Sequence, residues 1–447
     1  MRVHFHTFGC KANQYDTERM RQELEARGAR TVSGWDRAEV VVVNTCTVTN
    51  QADAGARRLL RRVRRENPAA RLVVAGCSAA LRADEYAAMD GVEAVIPGHD
   101  PVAVALGAGE GPSLVQIADR RTLDRLDTEP VGGALLQARE AGTRGWLKIQ
   151  DGCDRKCAFC ATRLARGASR SRPAAEVLAE ARLLAAVHPE LVLTGVHIGH
   201  YGRDLEEGWT LSRLVALLLE RVPGCRFRLG SVEATEIDDL LVDLLAEAGD
   251  GLAPHLHMPL QSGADPVLRR MRRWHTREQY RARALEIADR LPVLGLGADV
   301  ITGFPGETPE DHDATAALVD ELPFTYLHVF PFSPRDATVA AELQAEMPVP
   351  QRVAGDRSRD LRERVGAKAE GYLATRNGGS ATVVLESGGS ALTEDYLRVR
   401  VTSAPGHAGA VPARDPRRLH TGVLQVRGGE PYIALSSDSQ AAQVRAS

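Results

Sequence analysis

The alternation of apolar and polar positions divides the chain into three stretches of different character. In the first, an apolar run is followed three times by a cysteine and a polar segment: VHFHTFGC, EVVVVNTC and RLVVAGC. Two segments of helical periodicity, DTERMRQELEARG and NQADAGARRLLRRVRRENP, separate these runs. Asp16 or Thr17 is placed to cap the first helix, and Gly28 to end it. Strands that alternate with helices predict an open parallel sheet.

The alternation resumes at Trp146 and continues for more than half of the chain. The expected strands are WLKI, LVLT, RFRLGSV, HLHM, LGADVI and YLHVF, with helical segments between them. Six such units fit a partial barrel, shorter than the usual eight. After about residue 372 the helices stop, and short β-like runs between Gly, Ser and Pro clusters predict a small antiparallel barrel.

We therefore expect an α/β protein built from several domains, as suits a chain of 447 residues. The predicted parts are an N-terminal open parallel α/β sheet domain over residues 1–110, a linker over 111–140, a central partial (β/α)6 barrel over 141–371 and a small antiparallel β-barrel over 372–440. A formal charge of −3 neither supports nor excludes binding to RNA, which would depend on local basic patches.

Cysteine usage and hydropathy suggest a cytoplasmic protein without a membrane segment. MRVHFHTFGC lacks the features of a signal peptide, and no apolar stretch is long enough to cross a bilayer. Seven cysteines in such a chain are expected to stay reduced, which favours metal-binding or catalytic roles over disulfides.

The densest chemical signal is the group of Cys153, Cys157 and Cys160 directly after WLKIQDG. Three soft thiolates on one loop can each bind one iron of a 4Fe-4S cluster and leave the fourth iron free to chelate S-adenosylmethionine. A structural zinc site is the alternative, but it needs four ligands, and no fourth cysteine or histidine is near in sequence. The loop also leaves the carboxyl end of the first barrel strand, where barrel enzymes have their active sites.

Cys10, Cys46 and Cys77 each follow a predicted strand of the first sheet. Taken singly, each could be a buried small apolar residue. Because the carboxyl ends of parallel strands share one edge, the three thiols are expected to meet in space. Cys225 has no such context, and we interpret it as a packing residue.

These motifs resemble a known family. The Cys-x3-Cys-x2-Cys spacing, with aromatic Phe159 before the last cysteine, is similar to the radical S-adenosylmethionine signature. KIQDGCDRKCAFCATRLARGASRSRP resembles the methylthiotransferase branch of that superfamily, and the resemblance continues through LTGVHIGHYGRD, HLHMPLQSGADPVLRRMRR, ADVITGFPGET and HVFPFSPR. It therefore extends over most of the chain.

The resemblance implies two 4Fe-4S clusters, the second held by Cys10, Cys46 and Cys77, with S-adenosylmethionine as cosubstrate. It also implies that the C-terminal barrel is a TRAM domain, which is associated with RNA binding. The expected reaction cleaves S-adenosylmethionine to a radical, which removes hydrogen from an unactivated carbon that then receives a methylthio group. General-base chemistry would not suffice, since such a C–H bond offers no acidic proton.

Several residues after the barrel strands are candidates for contact with S-adenosylmethionine, beside Phe159. Gly195 would allow a close approach of the cofactor, although a turn is the alternative reason for a glycine there. Ser231, Glu233 and Gln261 are expected to point at the barrel mouth. His255 and His257 share one face of a strand, and we interpret them as core histidines with satisfied hydrogen bonds rather than as a metal pair.

The segments KANQYDTE after Cys10 and TVTNQAD after Cys46 resemble the subgroup that acts on N6-threonylcarbamoyladenosine at position 37 of tRNA. Alternative substrates are isopentenyl-adenosine in tRNA and a ribosomal protein. A non-catalytic iron–sulfur protein that binds RNA or transfers electrons, and a radical enzyme that methylates without inserting sulfur, are alternatives of other classes. The expected partners are the tRNA anticodon loop and a low-potential electron donor such as flavodoxin or ferredoxin; the sulfur donor is not specified by the sequence.

Two basic runs are candidate tRNA contacts, although a run of charge is more often a solvated face. One is the set Arg57, Arg58, Arg61, Arg62, Arg64 and Arg65 on the second helix, and the other is RRMRRW, which ends at Trp274 and adds an option for base stacking. SALTEDYLRVRV matches the TRAM pattern in Thr393, Tyr396 and Arg398. Ser390 and Ala391 stand where a glycine is expected, which weakens the case for an RNA contact by this turn.

Overall fold

The computed structural model describes residues 1–109, 131, 134–139, 142–206, 208–402 and 415–436. Most of the predicted linker over 111–140 lies outside these residues. The N-terminal unit is a parallel five-stranded sheet in the order β2-β1-β3-β4-β5. Its elements are β1 (Arg2–Thr7), α1 (Lys11–Ala26), β2 (Arg30–Thr31), β3 (Val40–Thr45), α2 (Asn50–Glu66), β4 (Arg71–Gly76), α3 (Cys77–Leu81), α4 (Ala83–Ala87), β5 (Val92–Pro97) and α5 (Pro101–Ala108).

Both faces of this sheet are covered, which explains the unbroken valine run in β3. Val40 and Val42 pack with residues of α1 and α5, whereas Val41 and Val43 pack with residues of α2 and α4. All four side chains are fully buried. A central parallel strand with helices on both faces is apolar at every position, so the predicted open sheet is confirmed.

The first helix begins earlier than its sequence predicts. Its N-terminal cap is Cys10 rather than Asp16 or Thr17. Asp16 is instead a buried partner of cations from the second unit, and Thr17 donates its hydroxyl to a backbone carbonyl one turn back. The predicted cap was wrong because Asp and Thr side chains form other hydrogen bonds as readily as they cap a helix. The end of the helix is close to its predicted place, since Gly28 follows Ala26 with a φ of +86°.

The central unit contains six parallel strands with helices between them. The sheets β10-β9-β6 and β11-β12-β13 are joined by parallel bridges, including Ser231 with His257. The partial (β/α)6 barrel is therefore confirmed. Its elements are β6 (Gly145–Lys148), β7 (Gln150–Asp151), α6 (Thr162–Arg166), β8 (Arg170–Ser171), α7 (Ala174–Ala185), β9 (Glu190–Thr194), α8 (Leu211–Arg221), β10 (Arg226–Leu229), α9 (Asp239–Glu247), β11 (His255–His257), α10 (Asp265–Arg270), α11 (Arg277–Arg290), β12 (Gly295–Thr302), α12 (Pro309–Glu321), β13 (Tyr326–Pro331), α13 (Val339–Glu346) and α14 (Gln351–Arg376).

The C-terminal unit is a closed five-stranded barrel in the order β14-β15-β16-β18-β17. Its strands are β14 (Ser380–Leu385), β15 (Ser390–Thr393), β16 (Arg398–Thr402), β17 (Leu419–Arg427) and β18 (Glu430–Leu435). The pair β16–β18 is parallel and the other pairs are antiparallel. The small barrel is confirmed, but a fully antiparallel one was wrong, because a closed ring with an odd number of strands must contain a parallel pair. Among the described residues, no helix is long and apolar enough to cross a membrane.

The turn between β15 and β16 closes the amino-terminal end of the partial barrel. Arg228, in β10, donates Nη2–H to the carbonyl of Thr393 at 3.0 Å, and the ring of Tyr396 stacks on His255 with centroids 4.2 Å apart. Thr393 is completely buried. Thr393 and Tyr396 therefore join two domains; of the three residues matched to the TRAM pattern, Arg398 is exposed and Tyr396 is half-buried.

Glu190 anchors the same end of the barrel. Its carboxylate is fully buried and accepts from Nε of Arg226 at 2.7 Å and from Nε of Arg228 at 2.9 Å. Although burial opposes ionisation, the two guanidinium groups lower the pKa of Glu190 to about 2. Arg226 also donates to the carbonyl of Thr382 at 2.8 Å. One buried carboxylate thus positions two arginines that hold the C-terminal barrel.

Candidate functional site

The three N-terminal cysteines lie at one edge of the first sheet, as predicted. Cys46 and Cys77 follow β3 and β4 directly, Cys10 follows β1 by three residues, and these three strands are neighbours. Gly9 has a φ of +103°, and a Cβ there would lie 2.7 Å from Sγ of Cys46. A side chain at Gly9 would therefore separate the Cys10 and Cys46 loops.

The surroundings of these thiols favour metal binding over reactivity as free thiols. Burial raises the pKa of Cys77 to about 12 against the opposing effect of Arg166, and the neighbouring sulfurs of Cys46 and Cys10 act in the same direction as burial. Burial also raises the pKa of Cys46, whose sulfur accepts the backbone N–H of Val48 at 3.4 Å. Three thiols that oppose each other's ionisation can all ionise once a cation binds them together.

The barrel cysteines occupy the loop between β7 and α6, at the carboxyl end of the first barrel strand. Backbone hydrogen bonds shape the loop: Cys160 donates N–H to the carbonyl of Cys157 at 3.2 Å, and Thr162 donates N–H to the sulfur of Cys160 at 3.4 Å. Gly152, which precedes the loop, has a φ of +69°, and a Cβ there would lie 1.8 Å from the carbonyl oxygen of Ala168. Only glycine fits this approach.

Two polar groups that the sequence did not reveal contact the barrel thiols. His197 places Nδ1 3.4 Å from Sγ of Cys153, and its Nε2 lies 2.8 Å from Glu236. Arg273 places Nη1 3.7 Å from Sγ of Cys157 and forms an ion pair with Glu233. Burial raises the pKa of Cys153 to about 12. Arg273 is a cation aimed at a thiol, which favours the thiolate that metal binding requires.

A histidine lies close to each trio, so the sequence-based case against zinc was incomplete. His197 contacts Cys153, and Nε2 of His99 lies 3.7 Å from Sγ of Cys77. These histidines are distant in sequence from the thiols, which is why spacing alone missed them. Each trio fits an iron–sulfur cluster, because three soft thiolates share one small region, but the ligand count does not by itself reject a tetrahedral zinc site.

The residues predicted to contact S-adenosylmethionine differ in their surroundings: some are exposed to solvent, and others are already engaged by protein groups. Ser231 is exposed at the barrel mouth, whereas Glu233 is buried and paired with Arg273. Gln261 has a φ of +67°, a strained conformation for a residue other than glycine, next to the ends of β11 and β12. A Cβ at Gly195 would lie 2.7 Å from the carbonyl oxygen of Gln150, so packing alone requires this glycine.

Phe159 is partly buried against an apolar group that includes Met271, Phe304, Phe332 and Ala340. This packing anchors the cysteine loop. Contact of S-adenosylmethionine with Phe159, Gly195, Ser231, Glu233 or Gln261 stays a prediction.

The remaining histidine and cysteine predictions are met in part: the predicted core histidines are buried, but Nδ1 of His255 has no hydrogen-bond partner among the described residues. His255 and His257 share the hydroxyl of Tyr326, at 2.9 and 3.1 Å. His257 also lies 3.2 Å from Asp299, on the neighbouring strand. Cys225 is buried in the main core.

The two basic runs are partly used within the fold. On α2, ion pairs with acidic residues engage Arg57, Arg62 and Arg64. The other three arginines of that helix, Arg58, Arg61 and Arg65, are exposed. The guanidinium carbons of Arg155 and Arg273 lie 3.9 and 4.2 Å from the ring centroid of Trp274. Trp274 is therefore already engaged by two cations, and a tRNA contact by exposed arginines of α2 stays a prediction.

Comparisons with known proteins match both units that carry a cysteine trio. Residues 2–98 match an uncharacterized protein family, UPF0004, and residues 147–319 match the radical SAM superfamily. Threonylcarbamoyladenosine tRNA methylthiotransferase MtaB of Bacillus subtilis is 37% identical over 77% of this chain and 76% of its own length. Its namesake in Aquifex aeolicus is 32% identical over 90% of this chain and 96% of its own. The chain belongs to the radical S-adenosylmethionine methylthiotransferase family. Enzymes of this family carry two 4Fe-4S clusters and use S-adenosylmethionine.

More distant similarities are also found. A tRNA-2-methylthio-N(6)-dimethylallyladenosine synthase of Staphylococcus aureus is 29% identical over 88% of this chain and 76% of its own length. Among solved structures, the radical S-adenosylmethionine methyltransferase TsrM of Kitasatospora setae is similar with a TM-score of 0.55, 17% identity and coverage of 81% of this chain and 84% of that one. At this identity the likeness concerns the fold alone. Family membership, rather than ligand count, decides for clusters over zinc.

Serine replacement of Cys10, Cys46 and Cys77 together is expected to remove about half of the iron, from about eight to about four atoms per chain, because each trio is predicted to hold a separate four-iron cluster. The variant should still convert S-adenosylmethionine to 5′-deoxyadenosine, since the barrel trio is intact, but form no methylthio product. Iron analysis and chromatography of nucleosides after anaerobic reconstitution measure both. Unchanged iron content would contradict the assignment of this trio.

Proposed function

We propose that this enzyme converts N6-threonylcarbamoyladenosine at position 37 of tRNA to its 2-methylthio derivative. The observation that carries the proposal is the presence of two thiol trios, one at the edge of the N-terminal sheet and one at the mouth of the barrel, in one connected body. The named activity of the relatives that are 32% and 37% identical supports the choice of nucleoside.

The residues of the chain hold and separate two sites. Cys153, Cys157 and Cys160 would hold a cluster that delivers the electron for cleavage of S-adenosylmethionine, and Cys10, Cys46 and Cys77 would hold a cluster that carries the sulfide to be methylated. The loop of Cys153, Cys157 and Cys160 is fixed by backbone hydrogen bonds and by the packing of Phe159, so its thiols are held in place before metal binds.

Other side chains close the barrel at the amino-terminal ends of its strands and orient the polar groups near the thiols. The turn that carries Tyr396 blocks the amino-terminal end of the barrel, so water access from that end is restricted. Arg273 forms an ion pair with Glu233 and contacts the sulfur of Cys157, so one guanidinium holds a carboxylate beside the cysteine loop. His197 is oriented by Glu236; despite burial, hydrogen bonds from His197 and His200 hold the pKa of that carboxyl below its usual range.

The partners follow from this chemistry. The substrate is expected to enter as the anticodon loop of tRNA in the cytoplasm. Reductive cleavage also needs a low-potential one-electron donor, such as flavodoxin or ferredoxin, because the radical S-adenosylmethionine reaction consumes electrons.

Mass spectrometry of tRNA nucleosides from a deletion strain tests the proposal. Loss of 2-methylthio-N6-threonylcarbamoyladenosine with accumulation of the unmethylthiolated nucleoside is expected, with rescue by the natural gene and by a Cys225→Ala control. Loss of the 2-methylthio-isopentenyl nucleoside instead would assign the other tRNA substrate. If both nucleosides persist, a ribosomal protein or a non-catalytic role takes precedence.

A further inference from the structure

Arg166 lies between the two thiol trios. It follows the barrel cysteines in sequence, but its side chain contacts the N-terminal trio. It is the last residue of α6, six positions after Cys160. Its side chain crosses to the N-terminal unit, where Nε lies 3.2 Å from Sγ of Cys77. The next residue, Gly167, accepts the backbone N–H of Cys153 at 3.1 Å. One short segment therefore contacts a thiol residue of both trios.

The guanidinium of Arg166 is fixed by partners from both units. Nη1 donates to both oxygens of Asp151 at 2.8 and 2.9 Å, and Nη2 donates to Asp16 at 2.8 Å. Nη2 also lies 2.6 Å from Oδ1 of Asn13. With these groups engaged, the remaining Nε–H points at Cys77, and Arg166 is only 2% exposed.

Lys148 completes the arrangement and balances its charge. Its Nζ lies 2.6 Å from a carboxylate oxygen of Asp16 and 2.6 Å from one of Asp151. Two cations and two carboxylates, all buried, thus alternate across the junction of the two units. Removing any one of them would leave an unpaired buried charge, so the arrangement locks the guanidinium in a single orientation.

We propose that Arg166 is a positioning residue that donates Nε–H to the sulfur of Cys77, aligns the N-terminal trio with the barrel loop and raises the reduction potential of a cluster held by that trio. The proposal rests on the metal-binding role of Cys10, Cys46 and Cys77. Hydrogen bonds to cluster sulfurs and nearby positive charge stabilise the more negative, reduced form of a cluster. A residue that served only to join the two units would not change this potential.

A redox titration followed by electron paramagnetic resonance tests the proposal on the full-length chain. Serine at positions 153, 157 and 160 removes the barrel cluster, so the signal comes from the N-terminal trio alone. In this background, Arg166→Gln is expected to shift the midpoint potential to a more negative value. Arg166→Lys should shift it in the same direction by less, because an ammonium keeps the charge but cannot reproduce the planar fork.

Arg163→Gln is the matched control, since Arg163 lies on the same helix but donates to Cys153 carbonyl and Asp154 on the barrel side. It should keep the parent potential. If Arg166→Lys has the same midpoint potential as the triple-serine parent, the proposal is overturned, even if Arg166→Gln loses its iron. An equal shift in the Arg163 control also overturns it, because a general loss of positive charge would then explain the effect.

Discussion

Cys157→Ser is expected to reduce formation of 5′-deoxyadenosine and of methylthiolated nucleoside to background. Cys157 is one of three thiols on the barrel loop, and a serine hydroxyl is a poor ligand for iron of a 4Fe-4S cluster. Without that cluster, the electron from the external donor cannot be delivered to S-adenosylmethionine bound at the barrel loop. Chromatography of nucleosides after anaerobic incubation with dithionite measures the loss.

The matched control is Cys225→Ala, because Cys225 is a buried packing residue far in sequence from both trios. It should retain iron and both activities. Iron content separates the explanations: Cys157→Ser should lose about half of the iron, since the N-terminal cluster remains. If zinc copurifies with the natural protein in proportion to either trio, the nearby histidines complete a tetrahedral site and the cluster assignment there is wrong.

Glu190→Ala is expected to lower the free energy of unfolding by about 3–5 kcal/mol, which is the usual effect of removing one partner from a buried ion pair. Arg226 and Arg228 would remain buried without their shared carboxylate. Both arginines also donate to backbone carbonyls of the C-terminal barrel, so that barrel should loosen first. Urea unfolding followed by circular dichroism measures the change, and Glu220→Ala at an exposed ion pair should change it by less than about 1 kcal/mol.

The pH dependence of stability checks the same contact. The carboxyl of Glu190 has its pKa lowered from 4.5 to about 2 in the folded chain, so its contribution is complete above pH 4.5 and is lost as the pH falls toward 2. The difference in unfolding free energy between the natural protein and Glu190→Gln should therefore shrink over this range. A difference that is constant from pH 6 to pH 3 would contradict the assigned ion pairs.

The sequence alone predicted the α/β fold class, which the structure confirms, and six cysteines as metal ligands, an assignment that stays a prediction. Strand runs such as Val40–Val43 and the spacing of Cys153, Cys157 and Cys160 are local features, and local periodicity and ligand spacing can be read without a structure. It also placed Cys10, Cys46 and Cys77 at strand ends, from which their meeting followed by sheet geometry.

Only the tertiary structure decided which distant residues surround those thiols. His197, Arg273 and Arg166 contact sulfurs of cysteines 44, 116 and 89 positions away. The same reason explains the error at the first helix: Asp16 is a residue type common at helix caps, but here it forms a buried ion pair with Lys148. The neighbouring sequence of a charged residue does not identify its ion-pair partner, because the partner's position depends on how whole strands and helices pack.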